Sequence, residues 1–363
     1  APSNRITIGA IGVGRMGRGH FSIMADYPDV QLMALSDVDS WRRDHATELL
    51  QQKYGAKQPS GQFHGFKAYN DFRELLDRDD IDAVTIVTGE RWHPAIAVRA
   101  AQAGKDMYCE KPISLTIRQA RTMVETVRRH NVVFQTGLQQ RNSAEYLKAV
   151  EMVHAGRIGK VKLAYVSASG TSNYLNLPAE PLPKGIDWDM WLGPCPEYPY
   201  NYRYHQAGQP KNVVPWSSNR AFGGGGMTSG TIHNLDSAHA GLGKDGEGPI
   251  ELIPAGVNGV PSLTFNYADG TQIVFATRLE PDKHTIPEGW DPQTPIKNFG
   301  VLFVGDEGWI HVERFGVLRC YPEYLLDTEI PKFHSVVENH RDWIDCIRTR
   351  RRPRADIEIG ACS

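Results

Sequence analysis

Three glycines set just after a short apolar run restrict the fold of this chain more than any other feature. The run Ile6–Ile11 is followed by Gly12, Gly14 and Gly17 in the spacing G-x-G-x-x-G, and then by the helix-like stretch "RGHFSIMAD". In a strand–turn–helix, the first glycine permits the tight turn. The second lets the backbone approach a pyrophosphate, and the third lets the helix pack on the strand. Phosphates then lie at the positive helix end. Glycine turns without a ligand are common, so context decides. Here Asp37 lies 20 residues after Gly17, at the end of the second apolar run "VQLMALSD". An acid there accepts hydrogen bonds from ribose hydroxyls and repels a 2′-phosphate, which favours NAD over NADP. Arg42 and Arg43 are close enough in sequence to serve a 2′-phosphate instead. The expected cofactor loop comprises Gly12, Gly14, Arg15, Met16 and Gly17 with Asp37.

The alternation continues. "WRRDHATELLQQKYG" has helical spacing, "AYNDFRELLDRDDIDAVTIVTG" gives a short helix and the strand 83–87, and "HPAIAVRAAQAGKDMYCEKP" gives a helix and a strand. "TIRQARTMVETVRRHNVVFQTG" repeats the unit, its helix ending at Asn131 before a strand over 132–136. Near-continuous apolar strands alternating with helices predict a parallel sheet covered on both faces. The fold class expected is α/β, with a Rossmann doubly wound parallel sheet over residues 1–140. The pattern then changes to one helix, an alternating strand in "KVKLAYVSASG", and a long Pro-, Trp- and Tyr-rich loop. Hairpins turn at Asp269-Gly270 and near Glu307-Gly308. These features predict a C-terminal α+β domain over 141–332 with an open, mostly antiparallel or mixed sheet. An amphipathic helix near 333–350 is expected to pack back on the first domain.

Composition excludes more than it selects. With 363 residues, two domains are expected. A formal net charge of −2 leaves no basic field for nucleic acid. "RTRRRPR" at 348–354 follows a helix, whose negative end it favours. No run approaches the roughly 18 apolar residues that span a bilayer. Cys109, Cys195, Cys320, Cys346 and Cys362 show no metal-like spacing, so they read as isolated thiols. The start "APSNR" fits a mature chain after removal of an export signal, or a trimmed one.

The stretch "YCEKPIS", 108–114, puts Glu110 and Lys111 before a proline at the end of a strand. By residue type alone it reads as a structural Lys–Glu pair. Together with the glycine loop, the open-sheet second half, and segments such as "HPAIAVRAAQAGKDMYCEKPISLTI", "DWDMWLGPCPE" and "GGGGMTSGTIHNLD", it resembles the Gfo/Idh/MocA family over essentially the whole chain. That is the glucose–fructose oxidoreductase and inositol dehydrogenase family. The resemblance implies an NAD-dependent oxidoreductase acting on a sugar, glycoside or polyol hydroxyl. It places Lys111 beside the nicotinamide and the reacting hydroxyl as a proton-transfer or orienting group, with Glu110 holding the loop or touching the cofactor. A lysine near a positive nicotinamide in a partly dry cleft has its pKa lowered, which suits acid–base work.

The family also carries D-x-x-x-H in a helix of the second domain. In "GGGGMTSGTIHNLDSAH", His233 and Asp236 match its ending, while Ser229 stands where an acid is expected. A serine neither accepts the proton nor orients the imidazole with charge. The departure moves more of the work to His233 and Lys111, or favours a relative's chemistry: NAD-dependent glycoside hydrolysis or elimination by transient oxidation and re-reduction. A buried structural histidine is the plain alternative for His233. His233, Asp236 and His239 do not share a helix face well enough for a metal, and none is expected. In "TGERWHP" the family places residues near the nicotinamide, making Thr88, Trp92 and His93 cofactor candidates; Gly89-Glu90 departs from the usual Pro-Asp. Gln139, Arg141, Tyr202, Arg203 and His205, with Ser229, are candidate substrate contacts. Trp188 and Trp191 are expected to anchor the long loop. The partners implied are a small-molecule sugar or glycoside, no nucleic acid and no membrane. A homodimer or homotetramer through the open sheet face is expected. Resemblance to exported members suggests the periplasm, reached by the twin-arginine route, with the cytoplasm as the alternative.

Overall fold

The computed structural model describes residues 4–56, 65–205, 216–297, 299–326 and 335–363. The chain divides into two compact units. The first comprises 1–137, 172–225 and 340–357; the second comprises 138–171, 226–339 and 358–363.

In the first unit, β1 (Ile6–Ile11), β2 (Val30–Ser36), β3 (Lys67–Tyr69), β4 (Ala83–Ile86), β5 (Asp106–Cys109) and β6 (Phe134–Thr136) form one sheet in the order β3-β2-β1-β4-β5-β6. All its pairs are parallel. Helices α1 (Arg15–Met24), α2 (Ser40–Leu50), α3 (Phe72–Leu76), α4 (His93–Gln102) and α5 (Ile117–His130) connect them. This is the Rossmann sheet expected from the alternation. Strand β3 was not anticipated, because a three-residue edge strand with one buried side chain leaves no apolar run to read. Helix α5 ends where expected, with Asn131 left-handed at φ 51°. The segment Trp343–Cys346 packs into the same core as Ile8, Leu32 and Tyr108. It lies on a helix over Ser335–Thr349; residues 333 and 334 of the expected helix lie outside the described residues.

Residues 172–225 cluster with this first unit. Gly185–Asp187 pairs with Val38–Ser40 through Ser40 N–H to Gly185 O, 2.9 Å, and Asp187 N–H to Val38 O, 3.0 Å. Trp191, Leu192, Tyr204 and Phe222 make a small core of their own, in which Trp188 stacks on Trp191 at 4.4 Å.

In the second unit, α6 (Ala144–His154) and a helix over Ile232–Leu242 cover one face of a seven-stranded mixed sheet. It contains β7 (Leu163–Val166), β8 (Glu251–Ile253), β9 (Thr264–Asn266), β10 (Gln272–Phe275), β11 (Val301–Val304), β12 (Trp309–Glu313) and β13 (Val317–Tyr321). The order is β13-β12-β11-β7-β10-β9-β8, antiparallel except for β7 with β10. Both expected hairpins form, β9–β10 turning through Gly270 at φ 84°. The other face is partly covered by the unit's own chain, since Leu279, Trp290 and Ile296 pack on Tyr165, Val274, Leu302 and Trp309.

Candidate functional site

Each candidate loop of the first unit leaves the carboxyl end of a parallel strand, where open α/β sheets bind ligands. After β1 the chain turns at Gly12 with φ 84°, and a Cβ there would lie 2.5 Å from Val87 O. A Cβ on Gly17 would lie 2.1 Å from Gly12 O, so only glycine lets α1 start against the strand end. Helix α1 begins after Gly14 with no side-chain cap, which leaves its first N–H groups for a ligand. Arg15 and Met16 are exposed on that first turn.

Asp37, just past β2, accepts Val13 N–H at 2.9 Å and Asp39 N–H at 3.0 Å. A carboxylate has about four lone-pair sites, so acceptor capacity remains for ribose hydroxyls. The Arg42 guanidinium reaches over the loop, its Nη1 3.0 Å from where a Cβ on Gly14 would stand. These residues fit a dinucleotide: a glycine cradle that a side chain would fill, an uncapped helix start and an acid at the second strand end. His205, expected at the substrate, is instead buried against Asp39, Nε2 to Oδ2 3.0 Å. Burial raises the Asp39 carboxyl, but the His205 hydrogen bond and the His205 and Arg42 charges outweigh it and hold it low.

After β5, Glu110 is 5% exposed and its partners form a buried chain. His20 Nε2 lies 3.0 Å from Glu110 Oε1, His20 Nδ1 lies 2.7 Å from His340 Nε2, and His340 Nδ1 lies 3.3 Å from the Tyr27 hydroxyl. Because a carboxylate only accepts, His20 Nε2 donates to Glu110, and His340 and Tyr27 continue the chain behind it. Tyr108 OH, at 3.4 Å, and Lys111 N–H, at 3.2 Å, also donate to the Glu110 carboxylate. Burial pushes Glu110 up, but the His20 hydrogen bond and the His20 and Lys111 charges win and hold it below the ordinary carboxylate range. Lys111 itself is half-buried, and the Lys111–Pro112 bond is cis.

After β4, Thr88 is partly buried beside Gly12. His93 is pinned between carbonyls, Nδ1 2.7 Å from Pro112 O and Nε2 3.2 Å from Thr88 O. It therefore ties the β4 loop to the Lys111–Pro112 turn. Burial lowers its pKa to about 4, so the ring is neutral and donates across the shorter contact. Trp92 donates from Nε1 to Met190 O at 2.8 Å and packs on Phe72, which makes it an anchor of the long loop. Arg91 does the same job from the interior: Nη2 donates to Trp191 O at 2.6 Å, and the guanidinium lies 4.0 Å from the Trp191 ring centre. Glu90, just before Arg91, is 1% exposed and accepts Gly224 N–H. Burial pushes its pKa up to about 7. Tyr202 and Arg203 lie on the exposed side of the long loop, with their backbone N–H groups held by Glu180 and Asn201.

In the second unit, Ser229 falls in a π-helical turn, Met227–Thr231, that runs directly into α7 (Ile232–Leu242). Such turns are frequent at functional sites. His233 is buried, its ring 5.3 Å from that of Phe299. Gln139 is buried at the start of the unit. Arg141, expected at the substrate, is engaged by two carboxylates: Nε donates to both Asp236 oxygens at 2.8 and 3.0 Å, and its Nη atoms donate to Asp245 at 2.8 and 2.6 Å. Asp236 is fully buried, so Arg141 is the counter-charge that lets it be there. Among the described residues no three His, Cys, Asp or Glu side chains gather as a metal set, and no helix is long and apolar enough to cross a membrane.

Residue-type reasoning missed Glu90, Arg91, His20 and His340. The one available signal was Gly89-Glu90 itself, a charged residue where the resembled pattern has another.

Residues 6–138 match a family described as oxidoreductases with an NAD-binding Rossmann fold, and residues 162–292 match the α/β C-terminal domain of the same oxidoreductase family. A myo-inositol 2-dehydrogenase of Thermotoga maritima is 33% identical over 153 residues, 42% of this chain and 42% of that protein. A glycosyl hydrolase family 109 protein of Shewanella pealeana is 32% identical over 124 residues, 34% of this chain and 26% of that one. The chain thus aligns with less than half the length of these two relatives. Among solved structures, a scyllo-inositol dehydrogenase from Lactobacillus casei with bound NAD(H) and scyllo-inositol superposes with a TM-score of 0.60. That match covers 98% of this chain and 93% of the other at 17% identity, a likeness of fold.

Proposed function

The chain belongs to the Gfo/Idh/MocA oxidoreductase family, and from that premise we propose an NAD-dependent oxidoreductase acting on a hydroxyl of a sugar, glycoside or polyol. The observation that carries this reading is the convergence of the glycine loop, Asp37, Thr88–His93 and Glu110–Lys111 at the carboxyl ends of four strands of one parallel sheet. Bound NAD supplies the hydride acceptor. The helix α1 start and the glycine turn hold its pyrophosphate, and Asp37 takes ribose hydroxyls. Lys111 orients the reacting hydroxyl and stabilises negative charge as its proton leaves. Glu110, anchored by His20, holds the Lys111 turn from below, and His93 holds it from the β4 side. His233 is proposed as a proton-transfer group.

The test is NAD reduction with myo-inositol, scyllo-inositol and glucose. Lys111→Ala should abolish turnover while NAD stays bound, because its proposed partner is the substrate hydroxyl and not the pyrophosphate. Loss of NAD with no separate effect on chemistry would make Lys111 a structural residue. One observation favours a second reading, transient oxidation with net glycoside hydrolysis or elimination: Ser229 occupies the place of the family's acid. Phenol release from aryl glycosides without net NAD reduction would select it. For assembly we infer a homodimer or homotetramer through the seven-stranded sheet, whose edge strand leaves Leu252 exposed beside Ile250. A monodisperse monomer in light scattering contradicts that. Export to the periplasm is our reading of the resemblance to exported members, tested by fractionating cells that make the protein from its natural gene.

A further inference from the structure

A buried carboxylate ordinarily has its oxygens filled. Among the described residues, Glu90 has one filled and one open. Oε1 accepts the Gly224 N–H at 2.5 Å, and a Cβ on Gly223 would lie 2.7 Å from that oxygen, so the glycine run lets main chain close on it from this side. Oε2 has no hydrogen-bond or ion-pair partner among the described residues, nor is it among the partnerless atoms sealed from water. Arg91, its neighbour, is turned away onto the Trp191 and Leu192 carbonyls. The charges acting on the carboxyl are Lys111, from the loop after β5, and Arg91, from its own loop. The glycine turn brings backbone, and the turn over Trp216–Ser218 brings Ser217.

We propose that Glu90 is a second acid–base residue of the reaction, the carboxylate that receives the substrate's hydroxyl proton. The proposal rests on the oxidoreductase reading above. In the step, the substrate C–H bond breaks and its electron pair leaves as hydride to the nicotinamide of NAD+. The O–H bond breaks, its proton passes to Glu90 Oε2, and the C=O bond forms. The products are a carbonyl compound, NADH and protonated Glu90, which then releases its proton to water. The burial of Glu90 places the transition near neutral pH, where a general base is most useful.

Glu90→Gln keeps the side chain's size and the Gly224 contact but takes no proton. Infrared difference spectra of the NAD-loaded protein across neutral pH should show a carboxyl ionising near pH 7 that Glu90→Gln lacks. With myo-inositol and glucose as probes, Glu90→Gln should lower kcat by about 10²-fold or more. It should also remove the rise of kcat/KM through neutral pH while leaving NAD affinity unchanged. Glu90→Asp, which retains a carboxylate, should keep a pH-dependent profile; this separates lost chemistry from lost folding. Wild-type kcat and pH profile in Glu90→Gln would overturn the proposal, as would a wild-type spectrum with no carboxyl titrating near neutrality. If the wild type reduces no NAD with any probe yet the carboxyl titrates, the dehydrogenase reading alone fails. The decision on Glu90 then passes to phenol release from an aryl glycoside: its loss in Glu90→Gln supports Glu90, and wild-type release overturns it.

Discussion

The loops after β4 and β5 each bury one glutamate, and they treat it in opposite ways. Glu110 is met by donors: His20, Tyr108 and the Lys111 N–H, with His340 and Tyr27 behind His20. Among the described residues Glu90 is met by a single backbone N–H. Burial disfavours the charged form of both. At Glu110 the donors more than offset it and the carboxyl stays acidic; at Glu90 they do not, and the pKa rises to about 7. Burial alone therefore does not assign a role to a glutamate. The number of donors aimed at it does, and here it separates a group built to stay ionised from one able to exchange a proton.

The comparison can be broken in four places, taken from the largest expected effect down. Lys111→Ala removes the cation that acts on both glutamates. Turnover should fall by about 10²–10⁴-fold with NAD retained, measured by steady-state kinetics and NAD titration. His20→Leu strips Glu110 of its nearest side-chain donor while leaving it buried. Leaving a buried ionised carboxylate short of its donor costs about 3 kcal/mol or more, readable in urea denaturation at neutral pH.

The two carboxyls also make opposite contributions to stability against pH. Glu110 is held below its ordinary value of 4.5, so its stabilisation is present above that pH and is lost as pH falls through its folded pKa. Glu90 is raised from 4.5 to about 7, so its folded state is favoured below pH 4.5 and that advantage is lost as pH rises through 7. Glu90→Gln should therefore gain on wild type as pH rises from 5 to 8, by up to about 3 kcal/mol. Equal stabilities at every pH would contradict the raised carboxyl. The smallest effect belongs to the far end of the Glu110 chain. Tyr27→Phe deletes one 3.3 Å hydrogen bond to His340 and should cost about 1 kcal/mol in the same denaturation experiment.

The parallel sheet, the glycine loop and the C-terminal end of α5 were legible because their signals are local: apolar runs, glycine spacing and an asparagine at 131. Lys111 was legible through its motif. The carboxylates that engage Arg141 and His205 could not be read from the sequence, for a reason that applies to both. A basic side chain in a loop looks available until its acid is known, and the acids Asp236 and Asp39 lie 95 and 166 residues away in sequence. The short strand β3 went unread because two exposed residues and one buried one leave no pattern.

Residue types, their spacing and the turn glycines were thus sufficient for the fold class, the cofactor loop and the position of the lysine, since backbone geometry responds to neighbours a few residues apart. The state of each buried charge was decided only by tertiary structure. His20 meets His340 across 320 residues, and Glu90 meets Gly224 across 134. A carboxyl's affinity for a proton depends on which donors surround it in space, and residues that distant become neighbours only when the strands and turns have brought them together.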